Sequence, residues 1–366
     1  MVIGSTLPSG LYAFYEEQWG ITRGQTTVVF SLYVLGVLLS LIFLGHLADK
    51  YGRKRIVLLS LSLAITSSLF FLVALTPWVL YFARLLSGLA VGICMGSFTA
   101  ALSDLNGNRR GTTISAFVTS AALAMGPLAS AVIASQLPFK LRLPFAVHVI
   151  LLLIVFIPTL WTRETAIPQS LNNYSHSTSR ELFRNPSMLM LFLACSSAIA
   201  WAYGANGLWQ SVVPLALGEI QSSQLRVALL ASTMLGTSAL AQIVTLSLSP
   251  ERMTTAGLGV LALGLASSAF AISTLQHWLL WVATIIVGVG QGVSFRGSLA
   301  IAAQCANPQR QSIVVSIYYV FGYSLTALAP ISTNLSSVPA VTYAMAIAAL
   351  SSALALGVLR RKGASV

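Results

Sequence analysis

Apolar residues run along this chain in long blocks broken by short polar stretches, rather than alternating with polar ones. The blocks centre on residues 26–46, 56–75, 78–100, 112–135 and 143–161, and resume at 188–214, 225–248, 254–274, 278–300, 313–333 and 339–358. About 20 apolar residues make a helix that crosses the hydrocarbon core, and backbone polar groups in lipid must be satisfied within helices or closed barrels. The pattern therefore predicts an all-α membrane protein with eleven full spans. Residues 1–15 read as the outer end of one more, too short to cross alone. No basic flank precedes that apolar start, so a cleaved signal peptide is not expected.

The polar breaks supply an independent check. Those after even-numbered spans, together with the tail, hold fourteen Lys and Arg; the opposite breaks hold four, Arg23, Lys140, Arg142 and Arg226. Cations in short loops mark the cytoplasmic side, so twelve spans put both termini there. Composition agrees, with 56% hydrophobic and 8% charged residues, far fewer charges than soluble domains carry. The net charge of +12 is spread over topology-setting loops instead of one soluble face, which argues against a nucleic-acid partner. Cys94, Cys195 and Cys305 share no metal-like spacing and read as buried fillers.

The longest polar stretch, residues 163–186, predicts a linker between an N-terminal six-helix bundle (1–162) and a C-terminal one (187–366). The halves echo each other at an offset of 200. Leu35-Gly36 pairs with Leu235-Gly236, Trp78 with Trp278, Gly88 with Gly288 and Gly92 with Gly292. Duplication of this kind is common in transporters. Pro8 aligned on Pro214 implies about 18–20 residues before Met1, the remainder of a full helix, so the first helix is expected to be incomplete here.

One polar break carries more than topology. Gly45, Asp49, Lys50, Gly52, Arg53, Lys54 and Arg55 stand in GHLADKYGRKR between the second and third spans. This spacing resembles the signature turn of the major facilitator superfamily, in its drug or metabolite exporter branch. The resemblance implies a twelve-helix fold of two six-helix bundles. It also implies that Asp49 caps the eleventh helix and that Arg53 pairs with an acid ending the fourth, here Asp104. Together with Gly45 and Gly52, these residues would lock one face shut. A second similarity lies in the fourth span, as Arg84-x-x-Ser87-Gly88-x-Ala90-x-Gly92.

Charges inside spans are expensive, at least about 3 kcal/mol when they face lipid, so Arg84 and Arg296 are expected to face polar space. Gln291 stands near Arg296 in the tenth span. The seventh span adds Trp201, Asn206 and Gln210, the two amides one turn apart on one face. These six residues are the candidates for substrate or ion coupling. Gly126-Pro127 in the fifth span resembles an exporter motif, although glycines usual around it are replaced by Ala122 and Ser130-Ala131.

All eight acids lie away from span centres, leaving His148, Glu16 and Glu17 as candidates for proton coupling. Two buried cations without an acid suit an anionic or neutral substrate. No phosphate-binding Gly-x-x-x-x-Gly-Lys-Ser/Thr run is present, and the four histidines fall at different levels, so neither ATP-driven pumping nor enzyme chemistry is expected, nor any cofactor or metal. The reading is a secondary active transporter, monomeric, working by alternating access, with proton-coupled efflux of a small molecule ahead of uncoupled facilitation, uptake symport or a transport-inactive sensor. Short loops and a short linker suggest a bacterial inner membrane.

Overall fold

A computed structural model describes residues 1–20, 23–44, 47–164, 187–213, 224–307, 310–333 and 335–361. Among them the regular elements are helical: α1 (Val2–Thr6), a 3-10 turn (Leu7–Gly10), α2 (Tyr12–Trp19), α3 (Arg23–Leu44), α4 (Leu47–Tyr51), α5 (Arg53–Val73), α6 (Pro77–Asn106) and α7 (Asn108–Gln136). The series continues with α8 (Leu143–Thr159), α9 (Ser187–Ser211), α10 (Gln224–Val244), α11 (Pro250–Ser273), α12 (His277–Cys305), α13 (Gln311–Ser332) and α14 (Val338–Arg361). The described part of each of the eleven apolar blocks falls mainly in one long helix. Among the described residues nine helices are long and apolar enough to cross a bilayer, and α3 and α8 carry shorter apolar stretches.

The local signals are visible at the helix starts. Pro77 and Pro250 stand in first turns, where a missing N–H costs nothing, and the Ser249 hydroxyl accepts from the Arg252 N–H. Outward faces keep large apolar side chains exposed, among them Phe43, Ile154, Val244, Leu263 and Ile347, as lipid contact allows. Trp78 and Trp278 stand exposed at the starts of α6 and α12, the level at which tryptophans anchor a span. The three cysteines are buried, and none forms a disulfide among the described residues.

The offset-200 echo is structural. A Cβ on Gly88 would stand 2.1 Å from the Tyr33 carbonyl oxygen, and one on Gly92 would stand 2.6 Å from that of Val37, so α6 lies directly on α3. Gly288 and Gly292 make the same approach to the Met234 and Ser238 carbonyls, at 2.2 Å each, and α12 lies on α10. Close backbone approach is what small residues provide where lipid gives helices no hydrophobic drive to associate. Between the two halves of the chain, α7 packs on α10 and α12, and α13 packs on α3 and α6. The first segment is broken by the Pro8-containing turn and leans on α7.

Candidate functional site

At the face rich in cations, called the basic face below, the signature turn is a short helix followed by a left-handed residue. Gly52 has φ +95° and caps α5, and a Cβ there would stand 2.4 Å from Glu164 Oε2. That space belongs to the Glu164 carboxylate, which accepts from the Arg53 N–H at 2.8 Å and the Lys54 N–H at 3.1 Å. A carboxylate there meets the positive end of the helix dipole. The Arg53 Nε–H donates to Asp104 Oδ2 at 2.6 Å, joining α5 to the end of α6. The helix α4, which contains Asp49, packs on α13. Gly45 and the Asp49 side chain lie outside the described residues. Sequence reasoning did not single out Glu164; its place just beyond the sixth span, opposite a basic turn, was the available signal.

Deeper in, Arg84 is fully buried. Its guanidinium donates to the Ser5 carbonyl and to the Tyr12 hydroxyl, and lies 5.6 Å and 5.5 Å from the ring centres of Tyr12 and Tyr33. All these partners are neutral, and Nε has none. Stacking on aromatic faces compensates a desolvated cation by a couple of kcal/mol or so, less than a carboxylate would. Tyr33 then shares a 3.3 Å hydrogen bond with the Tyr323 hydroxyl, tying α3 to α13 across the two halves. The Tyr203 ring lies 5.3 Å from that of Tyr323 and 5.5 Å from that of Phe295.

Between these rings lies a cavity of about 10 Å³, room for one water molecule. Tyr33, Tyr203, Asn206, Gln210, Tyr323 and Thr326 face it. Asn206 is buried with its Oδ1 lacking a protein partner, a sizeable desolvation cost unless something polar enters. Arg84 stands one ring behind this wall. Chemically the arrangement offers a cation, two amides and a sleeve of phenols, with no described carboxylate, in a volume that must expand to hold more than water.

The structure therefore gathers Arg84, Asn206 and Gln210 around the Tyr33–Tyr323 pair, and leaves the other candidates elsewhere. Trp201 turns away from the cavity: its indole N–H donates to the Ser352 hydroxyl at 2.9 Å on α14, a packing role that mid-span depth alone could not distinguish. Gln291 is buried with Oε1 unpartnered but does not line the cavity. Arg296 lies nearer the basic face, donating to the Thr113 hydroxyl at 3.2 Å and the Gln242 carbonyl at 2.7 Å. Tyr12 and Tyr33 were not anticipated. Tyr33 shares the buried face of α3 with Val37 and Leu41, and that four-residue spacing was the usable sign.

Of the coupling candidates, Glu17 is exposed and the Glu16 side chain is outside the described residues. His148 is buried, 2.8 Å from the Ser68 hydroxyl through Nδ1, with Nε2 unpartnered. Its ring fills the place a side chain at Gly4 would take.

The Major Facilitator Superfamily model matches residues 1–330. Over 103 residues the chain is 36% identical to the 3-(3-hydroxy-phenyl)propionate transporter of Escherichia coli (strain K12), covering 27% of this chain and 25% of that protein. Over 100 residues it is 34% identical to the multidrug resistance protein MdtL of Shewanella sp. (strain ANA-3), with 27% and 25% covered. A D-xylose transporter of Levilactobacillus brevis is 29% identical over 110 residues, with 30% and 24% covered. The matches thus span about a quarter of these curated relatives. Among solved structures, the human organic anion transporter MFSD10 (TETRAN) superposes with a TM-score of 0.69 at 16% identity, over 95% of this chain and 89% of that one, a likeness of fold.

Proposed function

The chain belongs to the Major Facilitator Superfamily, and on that premise we propose that it is a secondary active transporter that carries a small organic anion by alternating access. The observation that carries this reading is Arg84, a fully buried guanidinium held, among the described residues, by neutral groups, one ring behind a cavity that bridges both halves. A buried cation without a counter-charge is costly, and an entering anion would supply that charge. The rings around it suit an aromatic carboxylate, the chemistry named for the hydroxyphenylpropionate transporter. A neutral sugar is the second reading, favoured by the Asn206 and Gln210 amides and by the xylose relative.

The basic face is cytoplasmic in this reading, in a bacterial inner membrane, and the conformation has that face shut. Asn108–Gln311, Thr113–Arg296 and Ser120–Gln242 form ties there between the two halves. Export driven by protons is the direction we assign, supported by Gly126-Pro127 in α7 and by the multidrug-resistance relatives. His148 is the proton carrier, since a buried imidazole with one free nitrogen can gain or lose a proton as the first segment moves off it.

Reconstituted, monomeric protein tests all of this. We expect radiolabelled 3-(3-hydroxyphenyl)propionate to move across proteoliposome membranes under a pH gradient faster than through protein-free vesicles, and its methyl ester, D-xylose and tetraphenylphosphonium to move no faster than through protein-free vesicles. Transport of the sugar alone favours the second reading, and transport of none of the four contradicts both.

A further inference from the structure

The two buried cations differ in level. By the offset of 200, Arg296 stands where α6 has Gly96, twelve residues beyond Arg84, which is about 18 Å along a helix. Arg296 is nearly as buried as Arg84, at 4% exposure. Its hydrogen-bond partners among the described residues are again neutral, the Thr113 hydroxyl on α7 and the Gln242 main-chain carbonyl on α10. Among the described residues no carboxylate is paired with it, and the Arg53–Asp104 ion pair lies elsewhere at the basic face. Gln242 presents a second unmet group there, a buried Oε1 whose amide nitrogen is bonded to the Ser120 hydroxyl at 2.8 Å.

Thr113 is only five residues into α7, about 8 Å from its basic-face end. Opening that face requires α7 to leave α10 and α12, and the Thr113 bond is among the first to go. The guanidinium would then stand at the wall of an open vestibule with one donor set unfilled. A structural tie alone would not require a permanent charge, because two neutral hydrogen bonds to Thr113 and Gln242 could be made by an amide at far lower desolvation cost.

We propose that Arg296 is a second anion-binding position, hidden in this conformation and uncovered when α7 withdraws, so that the substrate anion meets Arg296 from the basic face and Arg84 from the opposite face. This rests on the anionic-substrate reading above. The same ion is never held by both at once, and each conformation presents one cation to one compartment.

Sidedness tests it. Uptake of radiolabelled 3-(3-hydroxyphenyl)propionate is measured in inside-out and right-side-out vesicles from cells expressing wild type, Arg296→Gln, Arg296→Lys and Thr113→Val, each checked for monodisperse protein. Arg296→Gln raises KM at least 10-fold from the basic face and less than 2-fold from the other. Arg296→Lys, which keeps the charge, falls between. Thr113→Val, which removes the tie and keeps the cation, does not raise the basic-face KM. Equal changes on both faces, no change on either, or a Thr113→Val effect matching Arg296→Gln would overturn the inference and leave only a gate tie. A wild type that does not carry the carboxylate at all defeats the anionic-substrate reading itself, and this inference with it.

Discussion

Helices α6 and α12 hold corresponding places in the two halves of the chain, and they use the same glycines to lie on α3 and α10. Their chemistry is nevertheless displaced. Arg84 on α6 corresponds to Thr284 on α12, whose hydroxyl accepts from the Trp209 indole at 3.0 Å. Arg296 on α12 corresponds to Gly96 on α6, which lies against Ser312 and Ser316 of α13. The packing is thus shared and the charge displaced: one cation sits in the half of its helix away from the basic face, the other in the half nearer that face. Scaffold and chemistry are separable, and the separation can be probed position by position.

The largest effects should be shared by both halves. Gly88→Val and Gly292→Val each drive a side chain into a backbone carbonyl, 2.1 Å and 2.2 Å away, and overpacking of that kind costs about 3 kcal/mol or more. Both should lose folded, monodisperse protein on size-exclusion chromatography; survival of either would show that the close approach is dispensable. The echo fails at its first pair. A Cβ on Gly36 would stand 2.5 Å from the Leu85 carbonyl, whereas one on Gly236 meets nothing within 4 Å. Gly36→Ala should lower thermal stability by roughly 2 kcal/mol, and Gly236→Ala should raise it by up to about 1 kcal/mol.

Chemistry should split the halves. Arg84→Gln removes a buried cation and should cut transport of the carboxylate probe by roughly 100-fold, in line with losing one side of a desolvated charged contact. Its counterpart Thr284→Val loses one hydrogen bond from Trp209, about 1 kcal/mol of stability, and should leave the rate within a few-fold. Equal losses would mean the displaced charge has no special part in transport.

Smaller effects belong to the basic face. Gly52→Ala puts a side chain at φ +95° and 2.4 Å from Glu164, so α5 should lose its cap and about 1–2 kcal/mol of thermal stability. Trp201→Phe should be the mildest, costing about 1 kcal/mol through Ser352 with KM unchanged. A KM shift there would return Trp201 to the cavity.

How far the chain foretold this structure differs by element. Span positions follow from blocks of hydrophobicity, because lipid forces each block into one helix, and α5, α9 and α11 fall where the pattern puts them. In the signature turn the Arg53–Asp104 contact stands where the family resemblance implies it, whereas Gly45 and the Asp49 side chain lie outside the described residues. Facing is harder to read. In a helix apolar on nearly all sides, periodicity does not tell interior from lipid, so Trp201 and Asn206 looked alike although one meets α14 and the other the cavity. Tyr12 and Tyr33 escaped notice for the same reason, as did the neutral cage they build around Arg84.

The central claim is that the basic face must open for substrate to cross. Asn108 and Gln311, whose side chains meet at 3.2 Å on α7 and α13, give the most direct access to it. Asn108→Cys combined with Gln311→Cys, bridged by a short bis-maleimide, should abolish transport, while each single variant treated alike keeps it. A bridged protein that still transports at the rate of the untreated one would contradict the account.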